Sequence, residues 1–293
     1  MSEAVTTDSD SPSHGRSTNV RYVVVGATTL AAVVLYLDRI CIAEIAKLDE
    51  FKSGLSLTET QTGAILSAFF FSYALAQVPA GWLSDRFGAR ATLPLYICIW
   101  SVCTILTGLA TGFAMLIAAR LLFGVSQAGC YPTAGSLIRR WIPLSNRGTA
   151  SAIVSFGGRL GGAIAPLLTA WLLKDYLGWR AVLIIYGLIG FGVAIYFWIV
   201  FRETPDQHPH CNEEERRLIS AEGAEFYESG PPPFPPLLPL VRSLTMWWMC
   251  ALQYGINIGW VFLVTWLPTR AIAPHWEVWH NRGGLTRAWN RLG

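Results

Sequence analysis

Charged residues are scarce in this chain: 14% of its 293 positions are Asp, Glu, Lys or Arg, against about 25% in soluble domains. What charge there is clusters between long apolar runs, which excludes a disordered chain, a nucleic-acid binder and an ordinary water-soluble enzyme. Histidine is also rare. His14, His208, His210, His275 and His280 all fall outside the apolar runs, so no HExxH or Ser/His arrangement lies within them. An enzyme embedded in a membrane has nothing there to be built from, and no cofactor is implied. The six cysteines (Cys41, Cys98, Cys103, Cys130, Cys211 and Cys250) show no CxxC spacing. They read as small core residues rather than a disulfide framework or zinc site. Residues 1–20 lack the basic start and short apolar run of a signal peptide and are expected to form a disordered cytoplasmic tail.

What is abundant is apolar length: 53% of the chain is hydrophobic. A bilayer core needs about 20 mostly apolar residues per helix. Seven stretches qualify, at roughly 21–42, 60–80, 92–111, 114–138, 148–173, 180–201 and 243–267. The fold class is therefore an all-α, multi-pass membrane protein surrounded by lipid. Thr58 is a plausible N-cap for the second span. Arg86 and Arg90 follow that span, and Arg139, Arg140 and Arg147 follow the fourth. The loop after the first span is acidic on balance and the loop after the third is uncharged. Arginine and lysine mark cytoplasmic loops, so the N-terminus is expected inside, at the cell (inner) membrane. Residues 21–201 form one six-helix unit. Residues 202–242 form the only long loop, a hinge with a short amphipathic helix near 213–222 and a stiff proline-rich spacer. His208, His210 and Cys211 in it read as part of a solvated loop rather than as metal ligands. Residues 243–269 form a seventh helix, and from Arg270 onward the chain changes character.

Several spans carry polar groups that lipid penalises. Each charge in a span costs roughly 2.5–3.5 kcal/mol to insert, so such residues face a cavity or each other. In the first span (VVLYLDRICIAEIA, 33–46) Tyr36 and Arg39 share one helix face, with Asp38 about 100° away. The alternative puts Asp38 and Arg39 at the outer interface, with Arg39 reaching to water. In the fourth span Arg120, Gly124 and Gln127 form one stripe, and Gly124, Ala128 and Gly129 permit close helix approach. In the fifth, SFGGRLGGAIAPLL (155–168) sets Arg159 near mid-membrane without an acid in its own helix. Its counter-anion is either Asp38 or a bound substrate. In the seventh, Gln253, Asn257 and Trp260 line one face, for interhelical bonding or for substrate contact.

Between the second and third spans stands GWLSDRFGAR (81–90). It resembles the G-x-x-x-D-R-x-G-x-R signature of the major facilitator superfamily at every fixed position: Gly81, Asp85, Arg86, Gly88 and Arg90. Together with YLDR, RLLFG…QAGCYP, RETPDQHP and QYGIN…TWLPT, it is similar to the anion:cation symporter branch, which includes hexuronate, glucarate, galactonate and phthalate permeases. That resemblance covers residues 20–269. It implies two six-helix bundles rocking about a midplane site by alternating access, with the 81–90 loop as a gating latch. It implies a small organic anion, a sugar acid or other carboxylate, carried with H+ or Na+. By position, Arg39 clamps the carboxylate, Asp38 takes the coupling proton, and Tyr36 and Asn257 line the site. Arg159, Gln127 and Gln253 complete the candidate substrate residues.

Two departures stand out. Gln127 occupies a position that is commonly glutamate in this branch, and an amide cannot titrate. Gly158–Arg159 stands where small polar residues are usual. The chain also ends after seven spans where the branch has twelve, so the tail at 270–293 is expected to be frameshift-like. The missing C-terminal half would be a partner if supplied separately, making this half of a split transporter. The remaining alternative is a non-transporting membrane scaffold or receptor.

Overall fold

The computed structural model describes residues 17–175, 177–221, 234 and 237–261. Among the described residues six helical stretches are long and apolar enough to cross a membrane. They are α1 (Val20–Ile45), α3 (Glu59–Phe87), α4 (Ala89–Gly108), α5 with α6 (Phe113–Ala128 and Cys130–Trp141), α7 (Arg147–Asp175) and α8 (Trp179–Val200). A short α2 (Asp49–Gly54) lies in the loop after α1. α9 (Glu213–Ala221) is the short helix expected near 213–222.

Local chemistry sets the helix ends. Thr58 closes a full capping box at the start of α3: its hydroxyl accepts from Gln61 N, and Gln61 Oε1 accepts from Thr58 N. The fourth span is interrupted at Gly129 because Pro132 has no N–H to donate to the Ala128 carbonyl.

α1 packs along α7, α3 along α5, and α4 against α5 and α8. The α1–α7 contact is close because a Cβ on Gly161 would sit 2.5 Å from the Val33 carbonyl oxygen. Two apolar clusters hold the bundle, and α1 contributes residues 20–35 to one and 41–45 to the other. The stretch between them, 36–40, carries Tyr36, Asp38 and Arg39.

The described residues from 234 onward belong to a second unit: α10 (Leu237–Arg242) and α11 (Leu244–Val261), the latter capped by the Ser243 hydroxyl accepting from Met246 N. The rest of the expected seventh span, the spacer before residue 234 and the tail from Arg270 lie outside the described residues.

Candidate transport site

α1, α3 and α5 bring one cationic group to the centre of the bundle. The Arg39 guanidinium lies 4.9 Å from the Tyr36 ring centroid, 4.9 Å from Phe69 and 4.7 Å from Tyr73. Cation–π contacts of this kind favour a desolvated guanidinium without neutralising it. Its Nε donates to Gln127 Oε1 at 3.1 Å, and Gln127 Nε2 donates to the Leu35 carbonyl at 3.0 Å. Gln127 is fully buried, so both ends of its amide are fixed and with them the plane of Arg39. Nη2 of Arg39 is buried with no hydrogen-bond partner among the described residues. The structure thus sets Arg39 inside the bundle rather than reaching to the outer interface.

Asp38 takes the other side of α1 and is 1% exposed. Both of its carboxyl oxygens are buried without a hydrogen bond, as are Trp100 Nε1 and Arg120 Nε. Arg120 supplies the favourable charge at Asp38, and the Trp100 indole is the nearby donor. Arg120 lies 4.5 Å from the Phe123 ring and 5.7 Å from Phe69, so Phe69 is shared by two guanidinium groups.

Arg159 is not brought into this cluster. Its side chain is exposed and makes no ion pair or hydrogen bond with the described residues. Gly157, Gly158 and Gly161 turn one side of α7 against Thr29, Tyr36 and Val33 of α1, which leaves Arg159 on the other side. The cation whose charge acts on Asp38 is Arg120. Gln253 and Asn257 lie one turn apart on α11, in the second unit.

The 81–90 segment also differs from a loop. Residues 81–87 are the last turns of α3, and Ala89 and Arg90 begin α4, leaving Gly88 alone between them. Gly88 has φ +85°, a conformation favouring glycine, and a Cβ there would lie 2.7 Å from a Glu203 oxygen. Gly81 sits inside α3 against Pro132. Asp85 forms a long ion pair with Arg139, 4.0 Å. Arg86 lies 5.4 Å from the Trp82 ring and Arg90 5.1 Å from Trp198.

Glu203, at the start of the 202–221 segment, was not among the expected site residues. It accepts from Ala89 N (3.2 Å) and Arg90 N (3.0 Å) and pairs with Arg140. A carboxylate at a helix start satisfies orphan N–H groups and the helix dipole together. Glu215, fully buried on α9, does the same for α1: it accepts from Val20 N (3.3 Å), Arg21 N (3.1 Å) and the Thr18 hydroxyl, and pairs with Arg21 at 3.5 Å. The segment is therefore docked, not solvated. His208 and Cys211 are buried in it; His208 Nε2 lies 3.1 Å from the Val200 carbonyl and its ring stands edge-on to Trp141. Residues 17–20, expected in a disordered tail, are held by these same contacts. Glu203 lies within the RETPDQHP run, but the capping role of neither carboxylate is marked in the sequence, because each caps a helix over a hundred residues distant.

Residues 28–286 match the family model of the Major Facilitator Superfamily. The chain is a member of the Major Facilitator Superfamily. It is a multi-pass membrane protein of a family of transporters. Its relatives include the probable sulfoacetate transporter SauU of Cupriavidus necator, 31% identical over 85% of this chain and 56% of that protein. The probable galactarate/D-glucarate transporter GarP of Escherichia coli K12 is 32% identical over 86% of this chain and 60% of the relative. Among solved structures, a bacterial homologue of the human lysosomal transporter Spinster, inward-facing and unoccupied, superposes with a TM-score of 0.56 at 28% identity. That match covers 73% of this chain and 49% of the other. The chain thus spans less than two thirds of these relatives.

Proposed function

We propose that this bundle holds a small organic anion, a sugar acid or related carboxylate, for proton-coupled secondary transport by alternating access. The observation that carries the reading is Arg39: a half-buried guanidinium fixed by Gln127 and three rings, with one nitrogen unpartnered and no carboxylate paired to it among the described residues. A carboxylate arriving from outside satisfies it by charge-assisted hydrogen bonds. Tyr36 walls the position. Asp38, buried beside Arg120, takes up the coupling proton. The names of the relatives agree with an organic anion as cargo. The basic end, carrying Arg21, Arg86, Arg90, Arg139, Arg140, Arg147 and Arg202, faces the cytoplasm with the N-terminus, and the Asp85–Arg139 pair belongs to the gate there.

Binding tests this more directly than uptake, because the chain spans only part of its relatives. Purified chain is expected to bind D-glucarate or sulfoacetate, and Arg39→Ala to lower affinity at least tenfold. Asp38→Asn is expected to leave binding but remove its pH dependence. Arg39→Ala binding as tightly as the parent would refute the assignment and favour a scaffold.

A further inference from the structure

A cleft of about 150 Å³ opens at the basic end, between the first turns of α1 and α7. That is far more than the roughly 10–15 Å³ a single water needs. Its wall includes Arg21, Tyr22 and Val25 from α1, Asn146 just before α7, and Thr149 and Ile153 from α7. Arg21 is 8% exposed, and its Nε and Nη1 have no hydrogen-bond partner. Nη2 lies 3.4 Å from the Tyr22 hydroxyl. The ion pair with Glu215 does not use it up, because that carboxylate also serves Thr18 and two backbone N–H groups. Arg147 ties down the adjoining loop, donating to the Ile142 carbonyl at 3.1 Å and the Arg139 carbonyl at 2.8 Å.

The position of Arg21 on α1 says which anion this charge meets. From Arg21 to Arg39 is 18 residues, five turns of 3.6 residues, so the two arginines stand on the same line along α1, about 27 Å apart. Val25 and Tyr36, 11 residues apart, fall within about 20° of each other and about 40–60° to one side of that line. The cleft therefore lies on the face of α1 that carries the central site, not on a separate face.

We propose that the cleft around Arg21, Tyr22, Asn146 and Thr149 is a second station for the same class of small organic anion, at the basic mouth of the path whose centre is Arg39. This rests on the transport reading above. One carboxylate of the ligand takes the unpartnered Nε–H of Arg21, while Asn146 and Thr149 supply side-chain donors.

The test is equilibrium dialysis of the purified full chain, in neutral detergent, against radiolabelled D-glucarate and sulfoacetate. Two equivalents are expected. Arg39→Ala removes one and keeps the other. Ile153→Trp, which fills the cleft and leaves the Arg21–Glu215 pair intact, removes the second and keeps the first. Arg21→Gln does the same, and Glu215 keeps its backbone donors in that variant. One equivalent, lost in Arg39→Ala and untouched by Ile153→Trp, overturns the cleft proposal alone. Binding of neither anion anywhere overturns the transport reading and the cleft with it. A cleft that retains phosphatidylglycerol by native mass spectrometry, loses it in Ile153→Trp and ignores both small anions is a lipid site, which also overturns the proposal.

Discussion

Arg39 and Gln127 are joined by a 3.1 Å hydrogen bond in which the guanidinium Nε donates to the amide oxygen, while the amide nitrogen donates to the Leu35 carbonyl at 3.0 Å. The arginine is thereby oriented by a neutral group and keeps its charge for something else. Gln127→Glu changes this in two ways: the carboxylate neutralises Arg39, and it cannot donate to Leu35. Anion affinity at neutral pH is expected to fall about tenfold or more, equivalent to about 1.4 kcal/mol. It should recover on acidification, as the new carboxyl is protonated. Isothermal titration of D-glucarate across pH 5–8 checks both parts, and a pH-independent loss would point to simple misfolding.

Glu203 is the partner of Arg140 and the cap of α4. Glu203→Gln keeps the shape but removes the charge that meets a guanidinium and a helix start. A loss of about 1–3 kcal/mol is expected, read as a lower thermal midpoint in detergent. Arg140→Gln combined with Glu203→Gln should lose less than the sum of the two, since the pair is broken once. Full additivity would show that the contact contributes nothing.

Burial holds the His208 imidazole below its ordinary pKa, opposed by the Val200 carbonyl and helped by His210 and Arg202. The docked segment thus favours neutral His208, while the released segment binds the proton at the ordinary value of about 6.5. The undocked state takes up more protons as pH falls below that value, so docking is weakened by acid and strengthened toward neutral pH. Hydrogen exchange over 202–221 should therefore be faster at pH 5.5 than at pH 7.5, and His208→Gln should flatten the difference. Cys211 gives a second readout. Burial and Glu215 raise its thiol pKa, so alkylation is slow while the segment is docked.

The helices were legible because a bilayer demands runs of about 20 apolar residues, and Thr58 and Gln61 announce their capping box in four letters. Gln127 and Arg120 were legible as one stripe, seven residues apart, and the structure sets Gln127 against Arg39 and Arg120 beside Asp38. Arg159 shows where pattern runs out. Periodicity fixes which residues share a face, but the three glycines that pack against α1 decide which face turns inward. The same limit hid Glu203 and Glu215, since a helix cap delivered from another segment leaves no mark near the helix it serves.

Two of the bundle's helices begin with their first amide groups gripped by carboxylates from one short segment, which otherwise hangs from the end of α8. A pull applied beyond Ala221 is therefore not borne by α8 alone. Glu215 passes it to the root of α1, the helix that carries Arg39, and Glu203 to the root of α4, the helix that carries Trp100 beside Asp38. The connector acts as a bridle, and tension in it is delivered to the helix that bears the buried acid and to the one that sets Trp100 beside it.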